Sequence, residues 1–346
     1  MTAGQDGGND LLRRQQAYHA GHAKQAIEVL RQLAAGGKKV RPSDARSCKD
    51  YATEVFGHPQ YAAWLLVYTA VSGAFKEGWI PDNFYGAKVV PAIQGRHGRV
   101  SFLKSLSGAL FGSPAFPDVG SRINGALFDT AYRPLSFDEA RDRFFDSADR
   151  LVFKFDNSGR GRDIRFFDKG SFDQATIEAL GNGVFQRHIS QHPKFDLFTS
   201  TAVAAIRITT AVEGSGAISP RAAYLCLGMG SDTHVHAQSR MRVALDVATG
   251  ALREWGLLAN WQECRDHPTS GEPFAGKVIP DFAQCLSTVV ALHQRVPFIG
   301  AVGWDVTVDR DGEVRVLEWN AYHNGIGFSE ATAGPCFKGL GWERFA

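Results

Sequence analysis

Near the C-terminal end of this 346-residue chain, two apolar segments, AVGWDVTV and EVRVLEWN, flank the turn residues DRDG. Asp311-Gly312 between two such runs predicts a hairpin closed by a two-residue type I′ turn. Arg310 then pairs with Glu313, and Asp305 falls directly opposite Glu318. Side chains alternate between faces along a strand. Asn320 therefore joins Glu318 and Asp305 on one face, while Trp304, Val306, Leu317 and Trp319 turn to the other, towards a core. Two carboxylates set opposite each other repel unless a cation lies between them. Three hard oxygen donors without Cys or His suit Mg²⁺, which uses one or two carboxylates alongside water and phosphate oxygens. The same residues also fit a hydrated strand end with ordinary surface carboxylates. A one-residue slip in register would turn Asp305 to the other face.

Two other strands carry charges where apolar residues are expected. Lys154 lies within LVFKF (151–155), ahead of the glycine-rich loop Asn157-Ser158-Gly159-Arg160-Gly161-Arg162. A buried lysine calls for an anion, and the backbone amides and arginines of such a loop can wrap phosphates. Most glycine loops are plain turns, and that reading stays open. Arg207 lies within AAIRITT, where its partner is either a phosphate or carboxylate ligand or a structural acid. Two motifs are set aside. Gly271 to Lys277 has Walker A spacing, but Val278 stands where Ser or Thr would hold Mg²⁺, and no strand precedes it. Ser231 in LGMGSDTH does not fit G-x-S-x-G and has no base.

The remaining pattern is α+β. Helical spacing runs from Asn9 to about Leu33, where Gly36-Gly37 stop it, and residues 1–8 read as a frayed end. Further helices are expected from Ser43-Asp44 and after Pro59, their stripes serving as core. GWIPDNFYG (78–86) reads as a turn-rich junction. S-x-x-E/Q capping boxes at Ser136 and Ser171 predict helix starts. Strands are expected at 151–155, 164–168, 184–189, 202–212, 222–228 and 241–247, and a helix from Pro280. The sheet of the C-terminal half is mostly antiparallel.

A formal net charge of +2 gives no pull towards nucleic acid or membrane. The longest apolar run, AAWLLVYTAV (62–71), is about half the ~20 residues a membrane helix needs. MTAGQDGGNDLLRRQQ has no signal-peptide core. The five scattered cysteines form no C-x-x-C pair and are expected to be reduced. These features describe a soluble cytoplasmic protein without membrane insertion or a nucleic-acid partner.

Taken in order, FKFDNSGRGRDI, FQRHISQHP, IRITT, HPTSGEPFAGKVIP and VGWDVTVDRDGEVRVLEWN resemble the ATP-grasp superfamily, in particular its sugar-transfer-associated, alpha-L-glutamate-ligase-related branch. The resemblance runs from about IPDNFYG to NGIGF. It implies two α+β subdomains with mostly antiparallel sheets gripping ATP, preceded by a helical region. On that basis residues 1–80 form an N-terminal accessory region and 81–346 the ATP-grasp region. Within the latter, 81–150 hold a linker and part of the first subdomain, 151–200 the ATP lid and 201–346 the catalytic and metal subdomain. Lys154 would contact the phosphates, Gly159, Arg160 and Gly161 would cover them, and Gln186 to Ile189, including His188, would be the adenine-reading hinge. Lys104, in VSFLKSL, would be an earlier ATP contact. Arg207 would contact phosphate and the acyl phosphate, and Asp305, Glu318 and Asn320 would hold Mg²⁺.

The sequence departs from that pattern at Phe155 (often Pro), Gln186 (often Glu) and Gly303, where many amide-forming relatives have an arginine. The resemblance implies an ATP-dependent ligase that activates a small-molecule carboxylate as an acyl phosphate and couples it to an amine or thiol. The alternatives are an ATP-grasp kinase, which Gly303 keeps open, or a nucleotide-binding protein without turnover. His188, His192, His234 and His236 are either bases for the amine or ordinary polar contacts. Segments 230–238 and 267–277, with Lys277 as a carboxylate contact, are either substrate loops or plain connections.

Overall fold

The computed structural model of the chain describes residues 3–146, 148–158, 164–235 and 239–346. Three helices lead: α1 (Ala3–Ala35), α2 (Pro42–Glu54) and α3 (Ala62–Ser72). On α1, Ala26, Val29 and Leu33 recur at helical spacing and are buried. α3 is apolar almost all round and packs against α1, α2 and a short helix, Gly327–Thr332. Gly73, at φ 85°, ends it in the left-handed conformation that favours glycine. Two expectations fail here. The backbone is already helical from Ala3, since no proline or cap precedes Asn9 to stop it. The 78–86 stretch is not all turn: beyond Pro81 the chain is helical through Ile93, with a π-turn at Tyr85–Val89. Pro81 suits a helix start, and burial of Trp79, Ile80, Phe84 and Tyr85 fixes the segment.

Two antiparallel sheets follow. The first holds β1 (Asp118–Ile123), β2 (Ala126–Phe128), β3 (Pro134–Leu135), β4 (Arg150–Phe155), β5 (Ile164–Asp168) and β6 (Gly183–Arg187), in the order β3-β2-β1-β6-β4-β5. Its core is aromatic, centred on Phe144, Phe153, Phe172 and Phe185. The helix Phe137–Phe144 starts at Ser136 with both arms of the capping box made. The next helix starts two residues later than expected. Asp173 caps Gln174–Glu178, while Ser171 hydrogen-bonds Asp168 instead. β1 to β3 were not anticipated; DVGSRI has neither alternation nor an apolar run, and its pairing to β6 supplies what local propensity lacks.

The second sheet holds β7 (Ala205–Val212), β8 (Ile218–Leu227), β9 (Met241–Leu245), β10 (Leu252–Leu257), β11 (Glu263–Cys264), β12 (Ala301–Val308) and β13 (Val314–Asn320). Their order is β11-β10-β9-β8-β7-β12-β13. One face packs on the helix Phe282–His293, burying Ile206, Ile208, Leu225, Val243, Trp304 and Trp319 with Val289 and Leu292. That helix starts at Phe282 rather than at Pro280, because Asp281 takes a left-handed φ of 49° and breaks the run.

The β12–β13 hairpin corrects the predicted turn and keeps its consequence. Asp309 and Glu313 close the loop, so three residues, not two, lie between the closing pair. Gly312 supplies the left-handed position at φ 82°, and Asp309 Oδ1 accepts from the amides of Asp311 and Glu313. This shifts the register by one as far as Val306↔Val316. A β-bulge between Asp305 and Val306 then shifts it back, giving Asp305↔Glu318. The extra residue is Leu317. It leaves the core face on which it was expected and turns to the opposite face beside Glu318. Bulges commonly re-aim side chains in this way next to sites. No helix among the described residues is long and apolar enough to cross a membrane.

Candidate active site

The face of the second sheet that does not carry the helix Phe282–His293 opens into a cleft of about 770 Å³, walled by β4 and β5 of the first sheet and by α1 and α3. That volume lies high in the ~300–1,000 Å³ range of small-molecule sites. Neighbouring strands place its charges in a row. Glu318 pairs with Asp305, Asp305 with Arg207, and Arg207 with Tyr224.

At this end Arg207, Lys104 and Lys154 each have a partner within the fold. Arg207 grips Asp305 with both arms, Nε to Oδ1 at 2.6 Å and Nη2 to Oδ2 at 2.8 Å, and its Nη1 donates to the Asn324 carbonyl at 3.1 Å. Burial alone would lower the guanidinium pKa, but Asp305 reverses this and holds the charge firmly in place. Lys104 Nζ donates to the Ser158 carbonyl at 2.6 Å and lies 3.4 Å from Glu318 Oε1. Lys154 Nζ donates to the Leu317 carbonyl at 2.8 Å. Among the described residues its hydrogen-bond partner is thus a backbone oxygen at the bulge. Burial pushes Lys154 down in pKa and Glu318 draws it up.

Asp305, Glu318 and Asn320 face the cleft together, and Asn320 Nδ2 donates to Asp305 Oδ2 at 3.3 Å. Among the described residues no group of three or more His, Cys, Asp or Glu is placed to hold a metal. A cation here would therefore draw on two carboxylates and one carboxamide, a donor set that fits a hard divalent ion.

Beside these charges lies an apolar slot formed by Val152, Ile164, Phe166, Leu317 and Ile189. The amides of Arg187 and His188 are already committed to the carbonyls of Pro117 and Arg150. Within the predicted hinge, the Ile189 amide makes no hydrogen bond among the described residues. Gln186 donates its side chain to Asp118, whose carboxyl is raised by burial to about 6. Gly159, Arg160, Gly161 and His236 lie outside the described residues. His188 and His234 line the cleft; His192 instead caps a short helix by accepting from the Lys194 amide. Lys277 pairs with Glu272 away from the cleft. In the same segment His267 is buried against the Gly228 carbonyl.

The other end of the cleft was not read from the sequence. Tyr18 and His22 of α1, Trp64 of α3, Asp82, Tyr224, Arg240, Arg242, Trp261, His323 and Phe328 line it. The α1 stripe therefore serves partly as site wall and not as core alone. Trp64 Nε1 donates to His22 Nδ1 at 3.0 Å, and burial lowers the pKa of His22. One signal was available: Arg242 interrupts MRVAL as Arg207 interrupts AAIRITT.

The model of the family described as sugar-transfer associated ATP-grasp matches residues 175–340. Over those residues the chain is similar to the sugar-transfer associated ATP-grasp family. The two antiparallel sheets contribute opposite walls of the cleft. Arg207, Asp305, Glu318 and Asn320 fall inside the ATP-grasp match; Lys104 and Lys154 precede it. No curated protein matches the chain by sequence.

Among solved structures, the ATP-grasp ligase PsnB complexed with minimal precursor is 13% identical. It covers 83% of this chain and 68% of its own, with a TM-score of 0.42. Biotin carboxylase from Campylobacter jejuni is 12% identical over 92% of this chain and 67% of its own, at 0.44. The biotin carboxylase domain of 2-oxoglutarate carboxylase from Hydrogenobacter thermophilus is 13% identical over 63% of this chain, at 0.38, and the chain spans 39% of its length.

Proposed function

We propose that this protein is an ATP-dependent ligase that activates a small-molecule carboxylate as an acyl phosphate and couples it to an amine. The observation that carries the reading is the convergence of Lys104, Lys154 and Arg207 with Asp305, Glu318 and Asn320 on one cleft beside an apolar slot. Adenine would lie in the slot, against Leu317 and the Ile189 amide, which makes no hydrogen bond among the described residues. Lys104 and Lys154 would neutralise the phosphates. Asp305, Glu318 and Asn320 would hold Mg²⁺, which when bound supplies charge neutralisation on the transferred phosphoryl group. The substrate carboxylate attacks the γ-phosphorus, the bond to the β-phosphate oxygen breaks, and ADP leaves. The amine then attacks the acyl carbon, its proton passes to water, and phosphate departs with the C–O electron pair. Arg207 stabilises the charge that develops at both stages, a preorganised role that typically contributes several kcal/mol.

Gly303 favours a second reading, a kinase that stops at phosphoryl transfer, because the arginine common there in amide-forming relatives is missing. A local contact argues for the ligase. A Cβ at residue 303 would lie 2.8 Å from Asn324 Cβ and 3.3 Å from Arg207 Nη1. The Arg207 guanidinium thus fills the space a larger residue 303 would take, and a cation is present there from the neighbouring strand.

The test is turnover of MgATP by purified protein with pooled carboxylates and amines, read by phosphate release and mass spectrometry, with Glu318→Ala as control. ADP, phosphate and a condensed product that need both substrates and vanish in the control are expected. A phosphorylated hydroxyl compound without free phosphate selects the kinase, and failure to bind MgATP overturns both.

A further inference from the structure

Arg242 has no counterpart to the Asp305 that holds Arg207. It sits on β9 opposite Cys226 of β8, on the same sheet face as Arg207 but two strands away and two residues along. Strand spacing and rise put the two Cα atoms about 12 Å apart. The side chain is 8% exposed and lines the cleft. Its guanidinium carbon lies 4.4 Å from the Phe328 ring centre and 5.3 Å from that of Trp261. Those rings sit over the guanidinium, while its N–H donors lie in its plane. Among the described residues no carboxylate pairs with Arg242, and its buried Nε has no hydrogen-bond partner. The neighbouring charge is another cation, Arg240, which with burial pushes the Arg242 pKa down to about 10. A buried guanidinium without an anion is costly, and among the described residues no ion pair supplies one to Arg242.

We propose that Arg242, with Arg240 beside it, binds a carboxylate of one substrate that the reaction does not consume. The guanidinium offers the paired donors that a carboxylate accepts in bidentate fashion. The inference rests on the ligase reading and narrows its substrates to two kinds. Either the activated acid is a dicarboxylate, with the second carboxyl on Arg242, or the nucleophile is an amino acid whose own carboxylate is spared. A distance of about 12 Å to Arg207 leaves room for either between the two arginines.

The experiment compares glutarate with pentanoate, adipate with hexanoate, and free amino acids with their carboxamides. Calorimetric binding in the presence of MgADP and steady-state KM are both read, for the wild type, Arg242→Gln and Arg242→Lys, with thermal melting as a check on folding. The wild type is expected to favour the carboxylate-bearing member of one series. Arg242→Gln weakens that member by about 10- to 100-fold, the loss of a charge-assisted hydrogen-bonded pair, and Arg242→Lys recovers part of it. The dicarboxylate and amino-acid series distinguish the two substrate kinds. Equal binding of both members of every pair, or a preference that Arg242→Gln leaves intact, overturns the inference. Arg242-dependent binding without condensed product would sink the ligase and spare the site. Turnover indifferent to residue 242 would do the reverse.

Discussion

Arg207 and Arg242 stand on one face of one sheet and differ in a single respect. Arg207 is held by both oxygens of Asp305 and by a backbone carbonyl, whereas Arg242 is covered by two aromatic rings and has no anion among the described residues. The Asp305 end of the cleft is therefore electrically closed by the chain itself. The far end is left for a ligand to close. A fold that stabilises one buried cation and tolerates another is dividing stability from binding, and substitutions at each end should move stability in opposite directions.

The largest effect is expected where the pair is broken. Asp305→Asn leaves Arg207 buried with a neutral partner, and loss of one member of a buried pair typically costs about 3–5 kcal/mol. Urea unfolding should show a loss on that scale, and a second change, Arg207→Met, should recover part of it. A loss no larger than that of a surface substitution would mean that the pair is not the structural element its geometry describes. Next comes the crowding behind it. Gly303→Ala drives a Cβ to 2.8 Å from Asn324 Cβ and into the space beside Arg207. Overpacking of that kind costs about 1–3 kcal/mol and should lower turnover more than ATP binding. At the other end the sign reverses. Arg242→Met removes an unpaired buried charge and fills the space with an apolar chain, so ligand-free protein should gain about 1–2 kcal/mol. A loss of stability would show that Arg242 is held by contacts within the fold.

The grouping of charges at the Asp305 end was legible in the sequence and the far end was not, and the reason lies in range. Asp305, Glu318 and Asn320 belong to one hairpin, so their juxtaposition follows from local alternation. Even so, a turn one residue longer than expected was offset by the bulge at Leu317, which no local signal marks. Lys154 and Arg207 drew notice as charges in apolar strands. Arg242 carried the same signal in MRVAL but had no neighbouring motif to give it a role. Tyr18 and His22 depend on how α1 docks, and helical spacing identifies a buried stripe without naming what it faces. β1 to β3 form because β6 pairs with β1, which their own residues do not announce.

A third buried charge, away from the cleft, sharpens the contrast by using neither an ion pair nor a ligand, and its effect appears only as pH is varied. Glu330, on the helix Gly327–Thr332, is fully buried and accepts from the amides of Ile80 at 3.3 Å and Cys336 at 3.0 Å. Burial raises its pKa from 4.5 to about 8, and those amides only partly offset the shift. The folded state therefore binds a proton that the unfolded chain releases near pH 4.5. Its contribution to stability is full below that pH and is lost as pH rises through about 8. Unfolding midpoints should fall across this window with a slope of at most about 1.4 kcal/mol per pH unit. In Glu330→Gln that component should disappear, whatever the offset the substitution adds at all pH values. An unchanged slope would place the proton elsewhere, and Asp118, raised to about 6, is the group to replace next.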